Sequence, residues 1–259
     1  MPLLELNGAQ TYYELSGPRE GPVLMFSNSL GTNLGMWDRQ VAPFSGRFQI
    51  LRYDTRGHGR SAATPAPYAI EQLAEDVLRL LEHLKIGRVS FCGLSMGGMI
   101  GMWLGLRASE RLERLVLCNT SPKMGSAEMW NARIATVRKS GMEAVADGVL
   151  ERWHTADFRV RSPAAVAATR KMLVSTPVEG YAGCCAAIRD MDLREAIGGL
   201  KAPTFIIAGL HDPVTPPADG RFMAERIKHS RYVELPAAHL SNIEASDAFT
   251  TAMSGFLKG

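Results

Sequence analysis

Ser95 stands in Gly93-Leu94-Ser95-Met96-Gly97, a G-x-S-x-G turn with an apolar strand-like run before it and a helix-like run after it. Such a turn pushes the serine hydroxyl into a cleft, and the glycines two positions either side remove side chains that would clash in the bend. A helix starting at Ser95 or Met96 adds free N–H groups and a positive dipole end where negative charge would develop. These features suit nucleophilic attack on a carbonyl.

A serine hydroxyl is a weak nucleophile near neutral pH and needs a base. Six histidines are available. His239 follows the last strand-like run, and its alternative role is that of a buried, hydrogen-bonded histidine. His58 lies in the turn Asp54-Thr55-Arg56-Gly57-His58-Gly59, where a structural hydrogen bond is expected. His83, His154 and His229 fall on expected helices as surface or packing residues, and His211 adjoins the candidate acid and points away from it. The base needs a carboxylate to set its tautomer and steady the imidazolium. Asp212, after the strand-like run 204–208, supplies one; its alternative role is an exposed turn aspartate that caps the next helix. The other acid position, after the run 115–118, holds Asn119, which carries no charge. The order Ser95, Asp212, His239 resembles that of the α/β-hydrolases. In them the base follows the last strand, and two N–H groups form an oxyanion hole. Here these would be the amides of Met96 and, from the loop after the run 23–27, Leu30.

Holding these groups together requires alternating strands and helices. Strand-like runs occupy 10–16, 23–27, 48–53, 89–92, 115–118, 204–208 and 232–235. A helix over 70–84 presents Leu73, Val77, Leu80, Leu81 and Leu84 on one face, and further helices are expected over 96–107 and about 243–257. This alternation predicts an α/β fold with a mainly parallel sheet covered on both faces. It stops between 121 and 199, where several helices interrupted at Pro163 and Pro177 are expected. The expected plan is a core of 1–120 and 200–259 with a helical cap, 121–199, inserted over the edge where open α/β sheets bind ligands.

Composition excludes other classes. The net charge of +3 and the lack of a basic run argue against nucleic acid as a partner. The uncharged segment 89–106, with Gly97, Gly101 and Gly105 in small-xxx-small spacing, raises the question of a membrane span. A strand, a turn and a buried helix explain it better, so no membrane partner is expected. The N-terminus lacks the pattern of a signal peptide. Cys92, Cys118, Cys184 and Cys185 show no metal-ligand spacing and read as buried thiols of a cytoplasmic protein.

With these residues in place, the chain resembles the bacterial 3-oxoadipate enol-lactonases of the β-ketoadipate pathway of aromatic catabolism. The likeness rests on Ser27-Asn28-Ser29-Leu30-Gly31-Thr32, Leu51 to Gly59, Phe91 to Gly98, Glu179-Gly180-Tyr181 and His239 to Glu244. Asn28-Ser29 replaces the His-Gly of many other α/β-hydrolases. The resemblance implies an eight-stranded α/β-hydrolase sheet and opening of a small anionic lactone to 3-oxoadipate through an acyl-enzyme. It calls for no metal or organic cofactor. An anionic substrate needs a cation. Trp130 and Arg133, three apart on an expected cap helix, would share a face, with Arg133 pairing with the carboxylate and Trp130 walling the ring. Arg189 is a second candidate cation. The same triad would also serve a carboxylesterase, a carbon–carbon bond hydrolase or a perhydrolase, or remain in a slow ligand-binding sensor. Ser95 disfavours haloalkane dehalogenases and epoxide hydrolases, which use a carboxylate nucleophile.

Overall fold

The computed structural model describes residues 3–258. Eight strands are formed among them: β1 (Leu3–Leu6), β2 (Ala9–Ser16), β3 (Val23–Ser27), β4 (Gln49–Tyr53), β5 (Val89–Leu94), β6 (Leu112–Cys118), β7 (Thr204–Gly209) and β8 (Arg231–Leu235). They make one sheet in the order β1-β2-β4-β3-β5-β6-β7-β8. β2 pairs antiparallel with β1 and β4, and every other pairing is parallel. The central strands are buried on both faces, so they read as continuous apolar runs, such as Thr204–Gly209, rather than as alternating ones. β1 escapes the sequence reading because it is short and pairs only with β2 at the sheet edge.

Helices α1 (Asp38–Ser45), α2 (Ile70–His83), α3 (Met96–Arg107), α9 (Pro217–Arg226), α10 (Ser241–Glu244) and α11 (Ser246–Lys258) belong to the segments that carry the strands. The uncharged segment is divided as its glycines imply: β5 ends at Leu94 and α3 begins at Met96. An added Cβ at Gly101 would meet Phe91 and Leu115 at 3.0 Å, and one at Gly105 would meet Leu200 at 2.4 Å. α3 therefore lies flat on the sheet, and no helix among the described residues is long and apolar enough to cross a membrane. The expected terminal helix is two helices. Ala245, with φ −115° and ψ 45°, breaks it, and Glu244 turns toward the backbone N–H of Ala238. His154 and His229 do not lie on helices as expected: His154 follows the helix that ends at Trp153 and is fully buried, while His229 sits in an exposed turn.

Between β6 and β7 come α4 (Ala127–Ser140), α5 (Glu143–Trp153), α6 (Ala156–Arg161), α7 (Pro163–Val174) and α8 (Val178–Asp190). Pro163 opens α7 at its first turn and Pro177 caps α8, positions where a missing N–H costs nothing. α8 touches the sheet's loops backbone to backbone. Gly57 has φ +76°, and a Cβ there would lie 2.4 Å from the Gly180 Cα; a Cβ on Gly180 would lie 2.2 Å from the Gly57 carbonyl oxygen. Glu179 of the same motif pairs with Arg138 on α4.

This contact predicts a contrast between two glycine substitutions in helices. Gly180→Ala overpacks a backbone contact and should cost about 1–3 kcal/mol, lowering Tm by several degrees in a thermal melt. Gly255→Ala on α11, where an added Cβ meets nothing within 4 Å, should leave Tm unchanged or raise it.

Candidate active site

The parallel register brings the ends of five strands to one edge of the sheet. Ser27 pairs with Gly93, Leu94 with Cys118, Cys118 with Ile207, and Gly209 with Leu235. The segments that leave this edge carry Leu30, Ser95, Asn119, Asp212 and His239. The chain passes from β3 to β4 on one side and later to β5 on the other, so Leu30 and Ser95 flank the crevice where the strand order reverses.

Ser95 has φ 56° and ψ −115°, a conformation that costs an ordinary residue about 1–3 kcal/mol. Close packing holds it there. A Cβ at Gly93 would lie 2.1 Å from the Gly97 carbonyl oxygen, and one at Gly97 would lie 2.2 Å from that of Ser27. The Ser95 N–H donates to the Cys118 carbonyl (2.9 Å), and Thr120 Oγ1 donates to the Ser95 carbonyl (2.7 Å). The Met96 N–H heads α3 and has no intrahelical acceptor.

His239 is 1% exposed, and its Nδ1–H donates to Asp212 Oδ2 at 2.8 Å, which leaves Nε2 free to take a proton. Ser95 and His239 line the same cavity. No hydrogen bond joins them among the described residues, and contacts of this kind often tighten only once substrate is in place. Asp212 is 3% exposed, unlike an open turn aspartate. Its Oδ1 accepts from the N–H groups of Val214 (2.7 Å) and Thr215 (3.1 Å). Its Oδ2 accepts from Thr215 Oγ1 (2.7 Å) and Asn119 Nδ2 (2.9 Å) as well as from His239. Burial pushes the Asp212 pKa up, but the charge of His239 and the hydrogen bonds from His239, Asn119 and Thr215 outweigh it and hold the carboxyl below its usual range. Asn119 therefore does more than vacate the other acid position. It donates to Asp212 and, through Oδ1, accepts from Ser241 Oγ (2.5 Å) at the start of α10. Its φ of +43° suits an asparagine, and its spacing from β6 was the available signal.

The loop after β3 is tied down residue by residue. Asn28, in place of a histidine, donates to the Tyr53 carbonyl (2.7 Å) and accepts from Trp37 Nε1 (3.0 Å). Of the amides from Ser29 to Thr32, only Leu30's lacks an acceptor among the described residues: Ser29 N–H meets Met36 Sδ, Gly31 N–H meets His58 Nε2, and Thr32 N–H meets the Ser29 carbonyl. Leu30 itself lines the cavity.

The cavity holds about 180 Å³ and is closed by residues from α4, α5 and α8. Trp130 and Arg133 both line it, and Trp130 is held by a hydrogen bond to the Met124 carbonyl (2.7 Å). Arg133 donates to the Tyr181 hydroxyl (3.3 Å). Arg189 does not line it; its guanidinium is taken up by Asp190 and Asn131. Arg152 lines it instead, a residue the sequence reading missed because nothing local marks the facing side of α5. Burial and then the charge of Arg133 push the Arg152 pKa down, and neither arginine has a carboxylate within salt-bridge reach among the described residues.

Fold and site together place the chain in a known class: it belongs to the α/β-hydrolase fold family, whose sequence model matches residues 22–246. Among characterised relatives, 3-oxoadipate enol-lactonase 2 of Acinetobacter baylyi is 43% identical over 95% of this chain and 92% of its own length. Its 3-oxoadipate enol-lactonase 1 is 38% identical over the same shares. The crystal structure of the enol-lactonase from Burkholderia xenovorans LB400 superposes with a TM-score of 0.98 and 49% identity over 100% of both chains.

Two outcomes follow from the site's electrostatics. Asn119→Asp would set a second carboxylate against Asp212. One of the two must then hold a proton, so kcat for ester hydrolysis should fall at least roughly tenfold, with the acid limb of its pH profile moved upward. The second concerns stability. Burial pushes His58 and His154 down to about 4 from 6.5, with the charges of Arg159, His239 and Arg39 adding to the effect at His154. Between these values the unfolded chain holds a proton at each histidine that the folded chain lacks. Unfolding free energy should therefore rise with pH from about 4 to 6.5, by about 1.4 kcal/mol per pH unit for each histidine. Denaturant titrations across that range measure it, and His154→Gln should lessen the slope.

Proposed function

We propose that the protein opens 3-oxoadipate enol-lactone to 3-oxoadipate, with Ser95 as nucleophile, His239 as general base and acid, and Asp212 as its orienting carboxylate. The carrying observation is the cavity's two-sided chemistry. Ser95 and His239 lie at its floor, while Arg133 and Arg152 lie on its helical wall without acidic partners. Two uncompensated cations in a half-buried wall favour an anionic ligand. A neutral ester would leave them unmatched. The likeness to enol-lactonases over the whole chain supports the same reading.

In this mechanism His239 Nε2 takes the Ser95 proton as Oγ attacks the lactone carbonyl. The N–H groups of Met96 and Leu30 then hold the oxyanion. Collapse of the tetrahedral adduct breaks the ring C–O bond and expels an enolate, which His239 protonates on its way to the ketone. A water then gives His239 a proton as it attacks the acyl-enzyme carbonyl. Collapse of that second adduct breaks the acyl C–Oγ bond and releases the second carboxylate while His239 returns the proton to Ser95 Oγ. We read 121–199 as the cap that excludes bulk water from these steps, with Trp130 walling the ring and Arg133 and Arg152 binding the substrate carboxylate. We also read the chain as cytoplasmic, since its four cysteines are buried free thiols, the state a reducing compartment maintains.

Steady-state kinetics on the enol-lactone and on neutral p-nitrophenyl acetate test this. Arg133→Ala should raise KM for the lactone about tenfold or more and leave the neutral ester nearly unaffected; adding Arg152→Ala should deepen the loss. Unchanged lactone kinetics in the double variant would overturn the assignment of the cavity wall.

A further inference from the structure

His58 lies outside the cavity and plays no part in the steps above, yet it is fully buried and makes one contact that those steps depend on. Its Nε2 sits 2.9 Å from the backbone nitrogen of Gly31. A backbone N–H can only donate, so Nε2 must present a lone pair, and the ring must be neutral. Its Nδ1–H donates to the Arg56 carbonyl (3.2 Å), with the Cys184 thiol of α8 alongside at 4.0 Å. Burial, which pushes the imidazole down to about 4, keeps that lone pair available throughout the neutral range.

Gly31 follows the residue assigned as second oxyanion donor. The Ser29–Leu30 peptide is held from its carbonyl end, where the Ser29 oxygen accepts from Thr32 N–H (3.2 Å) and Thr32 Oγ1 (2.8 Å). In a trans peptide the N–H points opposite the C=O, so the Leu30 N–H is turned away from Thr32. The next peptide is held from its N–H end by His58. Gly31 has φ +77°, and a Cβ there would lie 2.6 Å from Leu173 and 3.2 Å from Tyr181, so the turn is also pressed from the helical side. The imidazole is carried by the Asp54–Gly59 turn, which Asp54 braces through Leu34 N–H (2.7 Å) and Arg60 N–H (2.8 Å).

We propose that His58 is a positioning residue for the oxyanion hole: as a neutral imidazole it accepts from the Gly31 N–H and thereby fixes the turn that aims the Leu30 N–H at the reacting carbonyl. The inference rests on the reading of Leu30 as an oxyanion donor. Without His58, the Gly31 N–H is free to rotate toward any acceptor, and the preceding amide loses its aim. The loss falls on the tetrahedral state, where the oxyanion exists, and hardly on the bound substrate.

The test uses the full chain with His58→Ala and His58→Gln, assayed on the enol-lactone and on p-nitrophenyl acetate, with phenylboronic acid as a probe that forms a tetrahedral adduct on Ser95. His58→Ala should lower kcat about 10–100-fold on both substrates, less than outright loss of a donor, with KM within roughly threefold. Boronate affinity should weaken in step with kcat. His58→Gln, whose Oε1 can accept from Gly31, should recover most of both. Equal kcat and boronate affinity in His58→Ala would overturn the proposal, as would a loss confined to KM. Should His58→Ala fail to fold, nitrogen-15 spectra of the histidine-labelled wild type decide. They should show His58 neutral with its proton on Nδ1 from about pH 5 to 8, and a proton on Nε2 would overturn the assignment. Wild-type enzyme that hydrolyses the simple ester but not the lactone would sink the substrate reading alone, leaving the His58 comparison readable on the ester.

Discussion

The close approach of two backbones at the end of β5 governs the rest of the site. Ser95 can hold its positive φ only because the Gly97 carbonyl reaches the Gly93 Cα and the Ser27 carbonyl reaches the Gly97 Cα without side chains between them. That approach places the start of α3 against the end of β3. Ser95 at the head of α3 and Leu30 after β3 thus come to line the same cavity. The strain in the turn, about 1–3 kcal/mol, is offset by the burial of an apolar helix and by hydrogen bonds to Cys118 and Thr120 on the neighbouring strand segment.

Around this point the polar groups are held by partners from distant parts of the chain. Asp212 is bound by its own loop through Val214 and Thr215, by Asn119 after β6, and by His239 after β8. Ser241 then closes the circle back onto Asn119. With both oxygens satisfied, the buried carboxylate stays ionised, and an ionised carboxylate fixes His239 in the tautomer that leaves Nε2 bare. The same logic, with the sign of the partner reversed, applies to His58: there the environment keeps an imidazole neutral so that it can accept.

The helices between β6 and β7 contribute charge and closure. Their contacts with the sheet loops combine apolar packing, as of Leu173 and Tyr181 on Gly31, with close backbone contacts and short buried polar ones. Gly180 lies on Gly57, the Leu240 N–H donates to the Trp153 carbonyl, and Glu244 accepts from Thr155 and from the amide of Ala238. These ties run to the residues either side of His239, so the wall that carries Arg152 and the loop that carries His239 are joined by hydrogen bonds. The exposed ion pairs on the same helices, such as Arg170 with Glu143, are separated by water-accessible surface from this chemistry and add little stability.

Local pattern in the sequence was enough to determine the α/β class, the strand runs that end at the site, the G-x-S-x-G turn and the order of Ser95, Asp212 and His239. These depend on apolar periodicity and on turn residues, which act over a few positions. Tertiary structure alone decided which groups meet. Asn119 reads as a missing acid in the sequence and is a hydrogen-bond donor to Asp212 in the fold. Arg152 reads as one surface arginine among many, and Arg189 as an equal to Arg133, until the packing of α4, α5 and α8 turns the first inward and hands the second to Asp190. His58, His154 and Glu244 carry no local mark of burial. Their partners lie on other elements, and only the packed chain sets the distance, dielectric and direction of a hydrogen bond between them.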